Sequence, residues 1–232
     1  MVLFLYSCSS PSSSSLKINI GSDPRSLDPR TASDLQSQTV VQMLFEGLTR
    51  QDQQEHPELA AAEKVEISSD GKKYTFYLRE AKWSNGEPVV AQDFVYAWKK
   101  SLDPSFPSER AFQLYVIKNA ERAKLGKVSL DEVGIKALDS KRLEVELEYP
   151  VPYFLELLSL PIYFPINHRL DNKIPHWSEK IDSYVCNGPF IPKSWSHNDC
   201  LAVAKNPSYW DAKEVKLEGI DLLMAIRGEW PA

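Results

Sequence analysis

Apolar and polar residues alternate along Leu16-Lys17-Ile18-Asn19-Ile20, the period of a half-buried strand, and this is where the folded part of the chain is expected to open. Ser26-Leu27-Asp28-Pro29 breaks the pattern, because Pro29 fixes its own backbone and pushes Asp28 out of the helical region. Ser33-Asp34-Leu35-Gln36 then reads as a capping box, with Ser33 as the cap and Gln36 reaching back to it. The helix it starts places Val40, Val41, Leu44, Phe45 and Leu48 at helical spacing, with Gly47 as a left-handed end.

Two hairpins follow. Val65 and Ile67 face Tyr74, Phe76 and Leu78 across Asp70-Gly71, and Val133, Ile135 and Ala137 face Leu143, Val145 and Leu147 across Asp139-Ser140. Between them Phe94, Trp98 and Leu102 recur every four residues on a helix that stops at Asp103-Pro104. A second helical stretch is expected over 111–125, and Tyr153 to Leu160 suits a short buried helix. After Pro161 the chain reads as loop until Asn187-Gly188-Pro189. Two strands then flank the polar Ser196-His197-Asn198-Asp199. The pattern is α+β, or mixed α/β, with no fixed-period repeat.

Composition narrows the function classes. The 232 residues carry a formal charge of −5, so no chain-wide basic field exists to drive nucleic-acid binding. The pairs Lys72-Lys73 and Lys99-Lys100 are isolated surface charge. The three cysteines, Cys8, Cys186 and Cys200, have neither zinc-ribbon nor redox spacing. His56, His168, His176 and His197 fall in no nucleophile-elbow, His-Glu-x-x-His or phosphate-loop context, so an enzyme is not expected. His197-Asn198-Asp199-Cys200 offers two ligands on a loop, too few to close a tetrahedral metal shell, and no cofactor is implied.

Leu5-Tyr6-Ser7-Cys8 resembles a bacterial lipobox, and the serines that follow suit a tether. Seven residues, none basic, precede Cys8, fewer than a secretory leader needs, so the start is expected to lie inside a longer leader.

A series of ordered motifs gives the chain its resemblance. They are Ser26-Leu27-Asp28-Pro29, Leu44-Phe45-Glu46-Gly47-Leu48, Asp70-Gly71-Lys72-Lys73-Tyr74-Thr75-Phe76, Trp83-Ser84-Asn85-Gly86, Asp93-Phe94-Val95-Tyr96-Ala97-Trp98, Asn187-Gly188-Pro189-Phe190 and Asn206-Pro207-Ser208-Tyr209-Trp210. Over about residues 16 to 223 the chain resembles the oligopeptide- and dipeptide-binding proteins of ABC importers.

That resemblance implies a two-lobed clamp. Residues 16–46 and 168–223 would form a discontinuous first lobe and 47–167 an inserted β-rich domain, with 1–15 a signal remnant and tether and 224–232 an atypical tail. The second lobe, which in the family carries the acidic partner of a peptide's amino end, has no counterpart here, so the chain reads as a truncated version of the family.

The resemblance further implies ligand contact at Ser33, Asp34 and Leu35 and near Arg110, where the oligopeptide type tends to be aromatic. Ser33 and Asp34 also read as a helix cap. Oligopeptides and membrane permease subunits are the implied partners, the periplasmic space the location, and lipid on Cys8 the membrane link. Metal chelates and heme-type ligands occur among relatives. The alternative reading is a surface lipoprotein or decayed gene product without transport activity. Expressed behind an intact leader, the protein is expected to incorporate a fatty-acid probe, and Cys8→Ser to abolish the label; equal labelling of both removes the assignment.

Overall fold

The structure is a computed structural model that describes residues 15–224. In chain order its elements are β1 (Leu16–Asn19), α1 (Leu35–Leu44), β2 (Thr49–Gln51), β3 (Pro57–Leu59), β4 (Ala62–Ile67), β5 (Lys73–Leu78), α2 (Ala91–Leu102), α3 (Ala120–Lys124), β6 (Ile135–Ala137), β7 (Arg142–Glu146), α4 (Phe154–Leu157), α5 (His168–Asp171), β8 (Phe190–Ser196), β9 (Cys200–Lys205) and β10 (Gly219–Leu223). Short 3-10 stretches connect several of them.

Both ends of the described chain meet in one sheet, ordered β1-β10-β9-β8. β1 runs parallel to β10, Ile18 opposite Leu222, while β8 and β9 form a hairpin whose turn holds Asn198 at φ 61°. Asparagine tolerates that left-handed backbone better than most residues. The two central hairpins merge into a second sheet, β4-β5-β7-β6, because β5 pairs with β7 and sets Phe76 opposite Leu143 and Tyr74 opposite Val145. The inward side chains of β5 and β7 are buried, while on the edge strand β4 Val65 is half-buried and Ile67 exposed, and α2 covers β6 and β7 with Phe94, Trp98 and Leu102.

Two elements depart from the local pattern. The apolar spacing of α1 continues through Phe45 and Leu48, yet the helix ends at Leu44 and Phe45 is extended. The chain beyond is taken up by backbone pairing, with Ala61 N–H donating to Gly47 O and Ala60 N–H to Leu48 O. Gly47 is not left-handed; it is required because a Cβ there would stand 2.4 Å from the Leu158 carbonyl. The stretch 111–125 is a 3-10 turn and then α3, separated by a bend with Asn119 at φ 61°. Lys118 N–H donates to Glu146 O and Ile117 bridges to Leu147, so the sheet recruits residues that helical spacing would have continued.

The turn after α1 is the junction of the core. The Phe45 ring meets Trp83, Trp177 and Tyr184 edge-on, at centroid distances of 6.3, 6.3 and 6.1 Å. Glu46 N–H donates to Asn187 Oδ1 (3.1 Å) and Asn187 Nδ2 to Glu46 O (2.9 Å). The buried Glu46 carboxylate accepts from Tyr209 OH and from Trp210 Nε1 (2.6 Å), and the Arg79 guanidinium lies 3.6 Å over the Trp210 ring. Burial raises the Glu46 carboxyl above its ordinary range, against these donors and the charges of Arg50 and Arg79, which lower it.

Gly188 closes the same junction, since a Cβ there would sit 2.6 Å from Leu44 C and Phe45 N. Backbone atoms cannot give way as side chains do. Gly47→Ala and Gly188→Ala are each expected to cost about 1–3 kcal/mol or more, read as a lower urea midpoint; an unchanged midpoint would show that the α1 turn can move aside.

Candidate functional site

The segment leading into α1 is held by a buried ion cluster. Pro29 stiffens the backbone while Asp28 Oδ1 accepts from Arg30 N–H at 2.9 Å, a turn typical of aspartate. This folds Arg30 back onto the Asp28 carboxylate, which it contacts through Nε and through Nη2 at 2.7 Å. Arg30 also grips Asp171 with Nη1 and Nη2, at 2.7 and 2.8 Å. Tyr96 OH and Trp177 Nε1 donate to Asp171, and the Phe106 ring stacks 4.9 Å from the guanidinium, which is 3% exposed. Burial alone would raise the Asp171 carboxyl, but the bonds and charge of Arg30, with Tyr96 and Trp177, outweigh it and hold the group below the usual carboxylate range.

From this anchor the 108–110 loop is tied to the 30–33 segment twice. Ser108 Oγ donates to Arg30 O at 2.7 Å and Arg110 Nη2 donates to Ser33 O at 2.6 Å. Ser33, Asp34, Leu35 and Arg110 therefore form one ledge, although 77 residues separate Ser33 from Arg110. Leu35 stands 75% exposed at its edge.

The cap of α1 differs from the expected box. Asp34, not Ser33, is the N-cap, accepting from Ser37 N–H at 2.9 Å and Ser37 Oγ at 2.6 Å. Gln36 does not reach back to the cap but donates to Ile20 O, and Gln38 Nε2 donates to Ser33 O at 3.1 Å. The reason is local: both Ser and Asp serve as caps, and the Ser37 hydroxyl offers Asp34 a second donor. Partial burial raises the Asp34 carboxyl, yet the Ser37 bonds prevail and lower it.

Cys8 lies outside the described residues. On the 196–199 turn, Asp23 accepts from His197 Nδ1, Trp195 Nε1 and Asn198 N–H, which leaves that loop engaged in structural bonds. Among the described residues no group of three metal-ligating side chains forms.

Against the Arg30 cluster lies a recess of about 780 Å³, walled by Arg25, Leu27, Thr31, Phe106, Trp177 and Trp195. Sequence reasoning singled out neither this recess nor Arg30, because their partners come from three distant segments. Trp177 and Asp171 belong to a stretch whose pattern reads as loop. The one usable signal was Asp28-Pro29 before a basic residue.

Removing the cation from the cluster strands two carboxylates. Arg30→Met is expected to cost about 3–5 kcal/mol of folding stability and to loosen the ledge, read as faster amide exchange at 31–35. The folded pKa of Asp171 lies below its unfolded value of about 3.9. Its contribution is therefore complete above that pH and lost as pH falls through the folded value. Asp171→Asn should flatten this acid-side decline, and an unaltered decline would place the titrating group elsewhere.

Residues 56–225 match the family described as bacterial extracellular solute-binding proteins, family 5 Middle. The chain is 49% identical over 211 residues to the oligopeptide-binding protein OppA of Bacillus subtilis, covering 90% of this chain and 39% of that protein. It is 42% identical to the dipeptide-binding protein DppE of the same organism, with the same shares covered. Among solved structures, Listeria monocytogenes OppA bound to peptide superposes with a TM-score of 0.89 at 36% identity, over 92% of this chain and 43% of that one. The chain thus spans about 40% of the length of these relatives, and over that length it belongs to the family 5 bacterial extracellular solute-binding proteins.

Proposed function

We propose that this chain supplies the first wall of the peptide site in the substrate-binding component of an ABC-type importer, capturing oligopeptides outside the cytoplasmic membrane and delivering them to permease subunits. The observation that carries the reading is the ledge at Ser33, Asp34 and Leu35. It is a half-buried segment with Leu35 exposed at its edge, clamped from behind by Arg30 and from the side by Arg110. Strand-like pairing with such an edge recognises a peptide's main chain and leaves its side chains largely unread.

The division into a first lobe (16–46 and 168–223) and an inserted β-rich domain (47–167) belongs to the same proposal. It is supported by two separate sheets, one drawn from both chain ends and one from the middle. Lipid on Cys8 would keep the protein at the membrane on the periplasmic side. The family consists of solute-binding proteins, and the reading assigns no catalytic residue.

A single ledge leaves a bound peptide facing water. The 232-residue chain is therefore expected to hold a mixed pool of tripeptides to pentapeptides no more tightly than about the millimolar range, roughly 4 kcal/mol. Fusion to the remaining length of a relative should bring affinity into the micromolar range, because opposing walls exclude water and pair the ligand's charged ends. Titration calorimetry decides this: micromolar binding by the chain as it stands would locate a complete pocket within it.

A further inference from the structure

Ser33 offers the ledge one main-chain carbonyl, and that carbonyl is already occupied. Arg110 Nη2 and Gln38 Nε2 both donate to it, at 2.6 and 3.1 Å, which fills its two lone pairs. A ligand N–H can reach Ser33 O only by displacing one of these donors. Of the two, Arg110 carries a charge, and that charge is without an anion among the described residues. Among the described residues its guanidinium forms no ion pair and makes a single side-chain hydrogen bond, to Ser33 O.

The nearby carboxylates do not serve it. Asp34 is committed to Ser37 N–H and Oγ, Asp28 and Asp171 neutralise Arg30, and Glu109 is exposed on the neighbouring position. A guanidinium has five N–H donors, so most of this one's capacity is unused.

We propose that Arg110 is a specificity-determining residue that makes the ledge favour peptides carrying a side-chain carboxylate close to where their main chain crosses Ser33. This rests on the ledge being the peptide wall. A neutral peptide that pairs with Ser33 O releases Arg110 with nothing to receive it. An acidic peptide both displaces it and accepts it, and a carboxylate matches the guanidinium with two parallel bonds. The preference is built from competition: the same contact that blocks the carbonyl in the free protein becomes the reward for an anionic ligand.

The test is an NMR titration of the chain with end-blocked tripeptides in which one Glu is moved through the three positions of an alanine background, each matched by its Gln counterpart. At least one Glu peptide should bind about three- to tenfold more tightly than its Gln partner, with shifts at Ser33–Leu35 and at the Arg110 Nε–H resonance. Arg110→Gln, checked for unchanged core resonances, should erase the difference between each Glu peptide and its Gln partner. Arg110→Lys, which keeps the charge, should retain a preference. Equal affinity for every Glu/Gln pair, a preference that survives Arg110→Gln, or loss of preference in Arg110→Lys would each overturn the proposal while leaving the peptide wall in place. Absence of any shift at Ser33–Leu35 with all six peptides would overturn the peptide wall itself, and the role of Arg110 with it.

Discussion

The passage Phe45-Glu46-Gly47 ties the molecule together, because three residues in a row are each committed to a different part of the chain. Phe45 inserts among Trp83, Trp177 and Tyr184; Glu46 is bound by Asn187, Tyr209 and Trp210; Gly47 lies against the Leu158 carbonyl. A buried carboxylate is costly unless donors surround it, and here the donors come from the segments that must be brought to α1 for the chain-end sheet to form. The Glu46 carboxylate holds Tyr209 and Trp210, and its main-chain groups hold Asn187, so one residue fixes where both segments sit. The absence of a Cβ at Gly47 and Gly188 lets backbone meet backbone closely enough for it to happen.

A second buried charge has a different task. Arg30 sits between Asp28 and Asp171 and stabilises little on balance, since desolvating three charged groups offsets most of their mutual attraction. What it provides is position. With Arg30 locked, Ser108 and Arg110 approach the segment before α1 along a defined path, and the ledge becomes a rigid feature on an otherwise irregular stretch of chain. In the proposed peptide wall such placement would lower the ordering cost that a ligand must meet.

The local code was most readable where neighbours decide the outcome. Val65 opposite Phe76 and Ile135 opposite Val145 follow from period-two alternation around turn residues, and Phe94, Trp98 and Leu102 from helical spacing. It was least readable where two local solutions are nearly equal. Ser33 and Asp34 can both cap α1, and the choice fell to Ser37, whose hydroxyl satisfies only the second of them. Residues 116–118 could have continued a helix, and the edge of β7 captured them instead.

The sequence by itself determined the two central hairpins, the starts of α1 and α2 and the β8–β9 hairpin, the mixed α/β class and, through its ordered motifs, the resemblance to peptide-binding proteins, because each of those elements depends on side chains within a few residues of one another. Only the tertiary structure decided that β1 pairs with β10, that both central hairpins share one sheet, that Arg30 is enclosed by Asp28 and Asp171, and that Arg110 occupies the Ser33 carbonyl. Those contacts join residues up to about 200 positions apart. Their partners are selected by which apolar faces and which unsatisfied buried polar groups remain once the local elements have formed, and that selection is a property of the packed whole, invisible to any window along the chain.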